Sequence, residues 1–199
     1  RLLPPVPGEL SFGGDFAPDG RSVALTVGGS TTPFEIWRLE LASGEYRRLT
    51  YSPHVGVDLE SMVRPQLRSF RAHDGLGLSG WLDSGIAVFA PNIRGSGGFG
   101  KAFLQLDNHD RRFDANRDIR SAADWLVEAG IGARGRLGIM GGSYGGYAVM
   151  VGVTEFPETF AAGANLFGIV NFETFFAQST PWMGAISTGE YGDPKTQRQ

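Results

Sequence analysis

The sequence of 199 residues predicts an α/β protein with a doubly wound, mostly parallel sheet, preceded by a smaller all-β region. Three observations support this fold class. Up to about residue 65, short apolar runs alternate with turn residues. Beyond residue 66, apolar runs alternate with a segment of helical periodicity, and a Gly-rich turn around Ser143 joins a predicted strand to a predicted helix.

The first 65 residues predict several short strands. We expect strands at residues 22–27, 35–41 and 46–50, because each run is rich in apolar or β-prone residues and is bounded by turn residues. This spacing is typical of all-β structure.

The region from residue 66 predicts alternating strands and helices. Residues 69–82 predict paired strands around an Asp-Gly turn, and residues 86–90 form an apolar run typical of a strand covered on both faces. A helix is expected at residues 118–127, where apolar residues recur at helical spacing before Gly130, and a buried strand at residues 136–140. Strands and helices in this order indicate a parallel sheet.

Residues 141–145, Gly-Gly-Ser-Tyr-Gly, match the G-x-S-x-G pattern of a nucleophile elbow. A nucleophile at the carboxyl end of a strand needs a tight, strained turn, and glycines at positions 141, 142, 145 and 146 would let strand and helix approach closely. The apolar residues 148–153 predict a buried helix whose N-terminus favours negative charge near Ser143. The alternative is a Gly-rich turn with an incidental serine.

Four stretches together carry a resemblance to a known family. They are residues 90–100 (Ala-Pro-Asn-Ile-Arg-Gly-Ser-Gly-Gly-Phe-Gly), Asp124-Trp-Leu, the turn around Ser143, and Asn171-Phe-Glu-Thr-Phe continuing to Glu190-Tyr-Gly-Asp-Pro. In these stretches the chain resembles the prolyl oligopeptidase family of serine peptidases, especially its acylaminoacyl-peptidase and dipeptidyl-peptidase-like branches. Residues 16–20, Phe-Ala-Pro-Asp-Gly, and the strands around them resemble a β-propeller blade of the same family.

The resemblance implies both a fold and an activity. Residues 1–65 would be a β-propeller fragment, and residues 66–199 an incomplete α/β-hydrolase catalytic domain. It implies hydrolysis of short peptides through an acyl-enzyme on Ser143, of acylaminoacyl-peptidase or oligopeptidase type, with the backbone N–H of Tyr144 in the oxyanion hole. Ile169 and Trp182 are the expected wall of the specificity pocket, with core packing as the alternative. No cofactor and no metal are implied.

Two parts of the expected site are missing from the sequence. No histidine follows Ser143, and the resemblance places the catalytic Asp and His beyond Gln199. We interpret His54, His73 and His109 as surface or loop residues. The family's further strand and oxyanion loop, expected after Leu82, are also absent, because only Asp83 separates Leu82 from Ser84. We therefore expect the 199 residues alone to lack peptidase activity.

Other motifs favour different functions less well. The G-x-G-x-x-G match at residues 95–100 would suit a dinucleotide, but charged residues rather than an apolar helix follow it, so we expect a demanding loop with Arg94 in a buried ion pair. The acidic residues Asp107, Asp110, Asp114 and Asp118 lack calcium-loop spacing and predict a solvated helix entry. An esterase or lipase of the same fold, and an inactive binding module, remain as alternative functions.

Composition limits the partners. The net charge is −3 and no long basic cluster occurs, which argues against nucleic acid. The chain has no cysteine, and no apolar run approaches the roughly 18 residues of a membrane span. The chain begins at Arg1 without a visible export signal, so we expect a cytoplasmic location and leave open a homo-oligomer.

Overall fold

A computed structural model describes residues 3–83, 87–193 and 196. The described residues fall into two compact units. The first holds residues 3–66 and 83, and the second holds residues 67–82, 87–193 and 196. Within these residues, no helix has both the length and the apolar character needed to cross a membrane.

The first unit is a four-stranded antiparallel sheet in which each strand pairs with the next one along the chain. Its strands are β1 (Leu10–Phe16), β2 (Ser22–Gly28), β3 (Glu35–Glu40) and β4 (Tyr46–Arg48). The three predicted strands are therefore confirmed. The fourth, β1, was not predicted, because Gly13 and Gly14 form a bulge that interrupts its alternation.

The sheet of the first unit buries one carboxylate, that of Glu35. Glu35 accepts hydrogen bonds from the hydroxyl of Thr50, from the N–H of Ser52 at 2.6 Å and from Arg48 at 2.8 Å. These bonds, that of Thr50 above all, lower the pKa of Glu35 to about 2. The buried charge therefore joins β3 to β4 and to the segment that follows.

Apart from the end residues Gln66 and Asp83, which fall in the first unit, the second unit contains five strands and five helices among its described residues. In chain order they are β5 (Gln66–Arg71), β6 (Gly77–Asp83), β7 (Val88–Asn92), α1 (Lys101–Leu104), α2 (Arg112–Glu128), β8 (Leu137–Gly142), α3 (Tyr144–Glu155), β9 (Phe160–Leu166), α4 (Phe172–Gln178) and α5 (Pro181–Tyr191). Short 3-10 helices at Gln105–Asp107 and His109–Arg111 lead into α2. The alternation of strands and helices that the sequence predicts is therefore present.

The described strands of this unit do not form the single sheet that we expected. One sheet has the order β5-β6-β7, and β8 and β9 form a separate parallel pair. The two strands β7 and β8, which we expected to be buried, consequently have solvent-exposed side chains: Val88 of β7 is 52% exposed and Met140 of β8 is 71% exposed. The strand that the resemblance expects after Leu82 is missing, which leaves strand edges without a partner. The junction itself, residues 84–86, lies outside the described residues.

Helix α2 joins two hydrophobic clusters of the second unit. Ala122 packs with Phe70 and Leu78 of the β5-β6-β7 sheet, and Ile119 packs with Val151 and Phe156 beside α3. The predicted apolar face of this helix is therefore confirmed. The helix begins six residues earlier than predicted, because its first turns bury the polar side chains of Arg112, Asn116 and Asp118, which leave no apolar pattern in the sequence.

Candidate functional site

Ser143 occupies the turn between β8 and α3 in a strained backbone conformation. Its φ is 54° and its ψ is −119°, in a region that residues with a side chain seldom adopt. The residue is exposed. The turn therefore presents a hydroxyl group at the carboxyl end of a parallel strand and at the N-terminus of a helix.

Backbone hydrogen bonds fix this turn from both sides. The N–H of Ser143 donates to the carbonyl of Leu166 in β9 at 3.1 Å. The carbonyl of Ser143 accepts from Gly146 at 2.9 Å, from Tyr147 at 3.2 Å and from Ile169 at 3.3 Å. The end of β9 and the first turn of α3 thus hold the serine in place.

Glycine is required at two positions of the turn. A Cβ on Gly141 would lie 2.5 Å from the carbonyl oxygen of Gly145, and a Cβ on Gly146 would lie 2.3 Å from the Cα of Gly168. A Cβ on Gly145 would meet no described atom within 4 Å. The expectation of close approach is therefore confirmed at Gly141 and Gly146 but is wrong at Gly145, which faces open space.

Tyr144 is the first residue of α3, and its N–H has no partner within the helix. None of the backbone hydrogen bonds formed by the described residues uses this N–H. It lies one peptide unit beyond Ser143, where a donor can stabilise an oxyanion.

Five aromatic rings surround the first turn of α3, and we call them the aromatic group: Tyr144, Tyr147, Phe172, Phe175 and Tyr191. Tyr191 stacks on Tyr144 with ring centroids 5.6 Å apart and planes only 5° from parallel. Phe172 contacts both Tyr147 at 5.4 Å and Tyr191 at 5.0 Å. The sequence showed the aromatic richness of this region but gave no sign that Tyr191 joins Tyr144.

Burial raises the pKa of the tyrosines in this group. Burial raises the pKa of Tyr144 well above its usual value, and the negative charge of Asp107 raises it further. Burial raises the pKa of Tyr191 to about 12. Burial also raises the pKa of Asp107 and of Glu190. The phenols next to Ser143 are therefore neutral at physiological pH.

The two predicted pocket residues differ in their positions. Ile169 is half-buried, and its N–H binds the carbonyl of Ser143, so it lies at the turn. Trp182, in the first turn of α5, is 62% exposed. Among the described residues, no hydrogen bond or ring contact joins Trp182 to the aromatic group. A role for Trp182 in specificity stays a prediction.

None of the hydrogen bonds between described residues joins a histidine to Ser143. The ring nitrogens of His73 lie 3.6 Å from a carboxylate oxygen of Asp114 and 3.8 Å from one of Asp118. His73 is therefore an exposed residue of the turn between β5 and β6, as predicted, and it also lies beside a cluster of charged residues.

Arg94 forms the expected buried ion pair at the centre of that cluster. The guanidinium donates from Nε and Nη2 to both carboxylate oxygens of Asp118, each at 2.8 Å. A second pair of bonds, both 3.0 Å, reaches Asp74, whose pKa they lower to about 2. Asp118 is fully buried, because Arg94 compensates its charge, and Asp107 is buried as well, so the prediction of a solvated acidic segment is wrong for both residues.

The Gly-rich loop after Arg94 is not arranged for a phosphate group. A Cβ on Gly95 would lie 2.2 Å from a carboxylate oxygen of Asp107, which is itself buried. The helix that directly follows the loop, α1, has only four residues. An acidic side chain against the first glycine would repel a phosphate, so the geometry disfavours a dinucleotide site.

Comparisons with known proteins agree with this geometry. The profile of the prolyl oligopeptidase family matches residues 76–199, more than half of the chain. Dipeptidyl aminopeptidase BIII of Pseudoxanthomonas mexicana is 36% identical over 132 residues, which cover 63% of this chain and 19% of that protein. Dipeptidyl peptidase family member 6 of Caenorhabditis elegans is 37% identical over 119 residues, covering 57% of this chain and 16% of that protein. The chain thus spans less than a fifth of these relatives.

Solved structures show the same fold at lower identity. A puromycin hydrolase matches 89% of this chain and 33% of its own with a TM-score of 0.77 and 18% identity. A puromycin-hydrolyzing peptidase of Mycobacterium tuberculosis matches 90% of this chain and 34% of its own with a TM-score of 0.78 and 20% identity. The likeness to these structures supports the predicted fold class in outline, although the described strands of this chain form separate sheets.

Proposed function

The chain belongs to the prolyl oligopeptidase family, and from that premise we propose that it supplies the nucleophile of a serine peptidase. The observation that carries the proposal is the backbone of Ser143, an exposed serine held at positive φ between a parallel strand and a helix. Strained backbone conformations of this kind cluster at functional sites, and here the strain coincides with the nucleophile position of the G-x-S-x-G pattern.

Catalysis would proceed by acyl transfer. The Ser143 hydroxyl oxygen attacks the carbonyl carbon of the substrate while its proton passes to a general base, and the N–H of Tyr144 donates to the resulting oxyanion. The intermediate collapses, the amine departs with the proton, and an acyl-enzyme remains. Water then hydrolyses the ester and restores the serine. None of the chain's three histidines is assigned as the base.

We propose short peptides as substrates, cleaved in the manner of an acylaminoacyl-peptidase or oligopeptidase. The aromatic group beside Ser143 supports this, because a cluster of half-buried rings can contact apolar side chains near the scissile bond. Two relatives are named as a dipeptidyl aminopeptidase and a dipeptidyl peptidase, which also supports action on short peptides. The cytoplasmic location and a homo-oligomer stay predictions.

Covalent labelling tests the nucleophile. We expect a fluorophosphonate to modify the intact protein at Ser143, and the Ser143→Ala variant to remain unlabelled. Ser69→Ala, which changes another exposed serine of the second unit, serves as a control and should label normally. A fluorophosphonate adduct mapped to a different serine would refute the assignment. Comparing turnover of N-acylated peptides with turnover of simple esters then separates a peptidase from an esterase.

A further inference from the structure

Arg112, the first residue of α2, is a buried cation held in an uncommon way. Only 4% of the residue is exposed. Its Nε donates to the carbonyl of His109 at 3.0 Å, and its Nη2 donates to the carbonyl of Tyr191, the last residue of α5. Its Nη1 is buried without a hydrogen-bond partner among the described residues.

No carboxylate among the described residues lies within ion-pair distance of Arg112. Burying a guanidinium without a paired carboxylate is costly, so its position calls for a physical reason. Part of the cost is compensated by the carboxylates of Asp107 and Glu190, which lie beyond ion-pair distance: burial raises the pKa of both, and the charge of Arg112 opposes that rise. Two further features compensate part of the cost. The cation lies at the C-terminus of α5, where helix carbonyls carry partial negative charge, and it lies 4.9 Å from the ring centroid of Phe172.

The contacts of Arg112 lead directly to the nucleophile turn. Its two partners in the aromatic group, Phe172 and Tyr191, contact each other at 5.0 Å. Tyr191 in turn stacks flat on Tyr144, whose N–H follows Ser143. One buried side chain of α2 therefore holds the backbone of the residue whose ring rests on the first residue of α3.

A second residue of α2 contacts the same group. Asn116, one helical turn after Arg112, is 3% exposed, and its amide donates to the hydroxyl of Tyr147 at 3.0 Å. Arg112 and Asn116 thus hold two different rings of the aromatic group from one face of α2. The first turn of α3 is fixed through both.

We propose that Arg112 is a positioning residue for the oxyanion donor: through Tyr191 it sets the position of Tyr144 and hence the direction of the Tyr144 N–H. The inference rests on the proposed function. It goes beyond that function because it gives a role in the reaction to a residue whose side chain touches neither Ser143 nor the substrate carbonyl. Loss of the guanidinium should let the rings shift and move the N–H away from the oxyanion.

The test uses fluorophosphonate inactivation of the intact protein, analysed for both binding (KI) and the chemical step (kinact). Arg112→Met keeps the bulk of the side chain and removes the charge, and Arg111→Met makes the same change at the exposed neighbouring arginine. We expect kinact to fall by about ten- to a hundredfold in Arg112→Met with KI nearly unchanged, because a misplaced donor impairs the transition state rather than binding. Arg111→Met should match the wild type.

This readout separates positioning from mere folding. A purely structural role would lower the fraction of protein that becomes labelled but would leave kinact unchanged in the labelled fraction, and that result would overturn the proposal. An equal loss of kinact in Arg111→Met would also overturn it. If the wild type labels at a serine other than Ser143, the proposed function fails, and this inference fails with it.

A double-mutant cycle tests the path through Tyr191. Tyr191→Leu removes the ring that stacks on Tyr144, and we expect it to lower kinact in the same way as Arg112→Met. Because both changes break one chain of contacts, the double variant should lose little more than either single variant. Multiplicative losses would show that Arg112 acts independently of Tyr191 and would overturn the proposed path.

Discussion

Replacing Gly146 by alanine is the most direct test of the close approach behind Ser143. The added Cβ would lie 2.3 Å from the Cα of Gly168 and 2.6 Å from the side-chain oxygen of Asn165. Carbon atoms in contact normally stay about 3.5 to 4.0 Å apart, so the backbone of Gly168 must move by more than about 1 Å. Overpacking of this kind costs roughly 1 to 3 kcal/mol.

Gly145→Ala is the matched control. The two glycines are neighbours in the first turn of α3, so the gain in helix propensity, about 1 kcal/mol at most, is shared by both variants. A Cβ on Gly145 meets no described atom within 4 Å. The difference between the variants therefore reports the steric clash alone.

Native-state hydrogen exchange of the intact protein provides the measurement. In peptides covering α3 and the end of β9, local opening in Gly146→Ala should exceed that in Gly145→Ala by roughly five- to 150-fold, which corresponds to about 1 to 3 kcal/mol. Fluorophosphonate labelling of Ser143 should slow in Gly146→Ala, because the turn that holds the serine is displaced. Equal exchange in the two variants would show that α3 and the loop after β9 do not meet as described.

Three further predictions concern charge and specificity. Asp118→Asn should destabilise the second unit by about 3 to 5 kcal/mol in urea unfolding, because it removes a carboxylate partner from the buried Arg94. The control Asp124→Asn, on the same helix, should cost under about 1 kcal/mol, and equal costs in the two variants would refute the pairing. Glu35 ionises more readily in the folded state than in the unfolded state, so its contribution to stability is present above about pH 4.5 and is lost as the pH falls towards 2. Glu35→Gln should make the stability of the first unit less dependent on pH over this range, and an unchanged pH profile would contradict the prediction. Trp182→Ala should lower kcat/KM more for substrates with Phe, Leu or Met before the scissile bond than for substrates with Ala there, since burial of a large apolar side chain is worth roughly 1.5 to 3 kcal/mol. An equal loss on both substrate types would show that Trp182 is not in the pocket.

Patterns within short stretches of the sequence were enough to predict several strands and the turn that carries Ser143, but not the start of α2. β2 and β3 lie where the apolar runs bounded by turn residues predict them, and Ser143 lies in a strained turn between a strand and a helix, as the Gly-rich pentapeptide indicates. The start of α2 was missed because a pattern of apolar residues cannot show a helix face made of buried polar groups. Asp118 and Arg112 are two of these buried groups: Asp118 accepts hydrogen bonds from Arg94, and Arg112 donates to the carbonyl of Tyr191, each partner being distant in the sequence.

The surroundings of Ser143 could be predicted only in part. The resemblance implied roles for Ser143, Tyr144 and Ile169, and the N–H of Ile169 donates to the carbonyl of Ser143, which places Ile169 at the turn, while the roles of Tyr144 and Ile169 stay predictions. The stacking of Tyr191 on Tyr144 depends on how α5 packs against α3, and no local periodicity encodes such a contact. The division of the strands into two sheets likewise depends on pairing between segments that are far apart in the chain.

The buried pair of Arg94 and Asp118 has a consequence for the protein when it is heated. The hydration of charged groups becomes less favourable as temperature rises, so the penalty for keeping both groups out of water shrinks while their hydrogen bonds persist. The contribution of this ion pair to stability, at the junction of β7, α2 and the turn before β6, should therefore decrease more slowly with heating than that of the purely apolar contacts around it. In a thermal melt followed residue by residue, this corner of the second unit would be among the last to open.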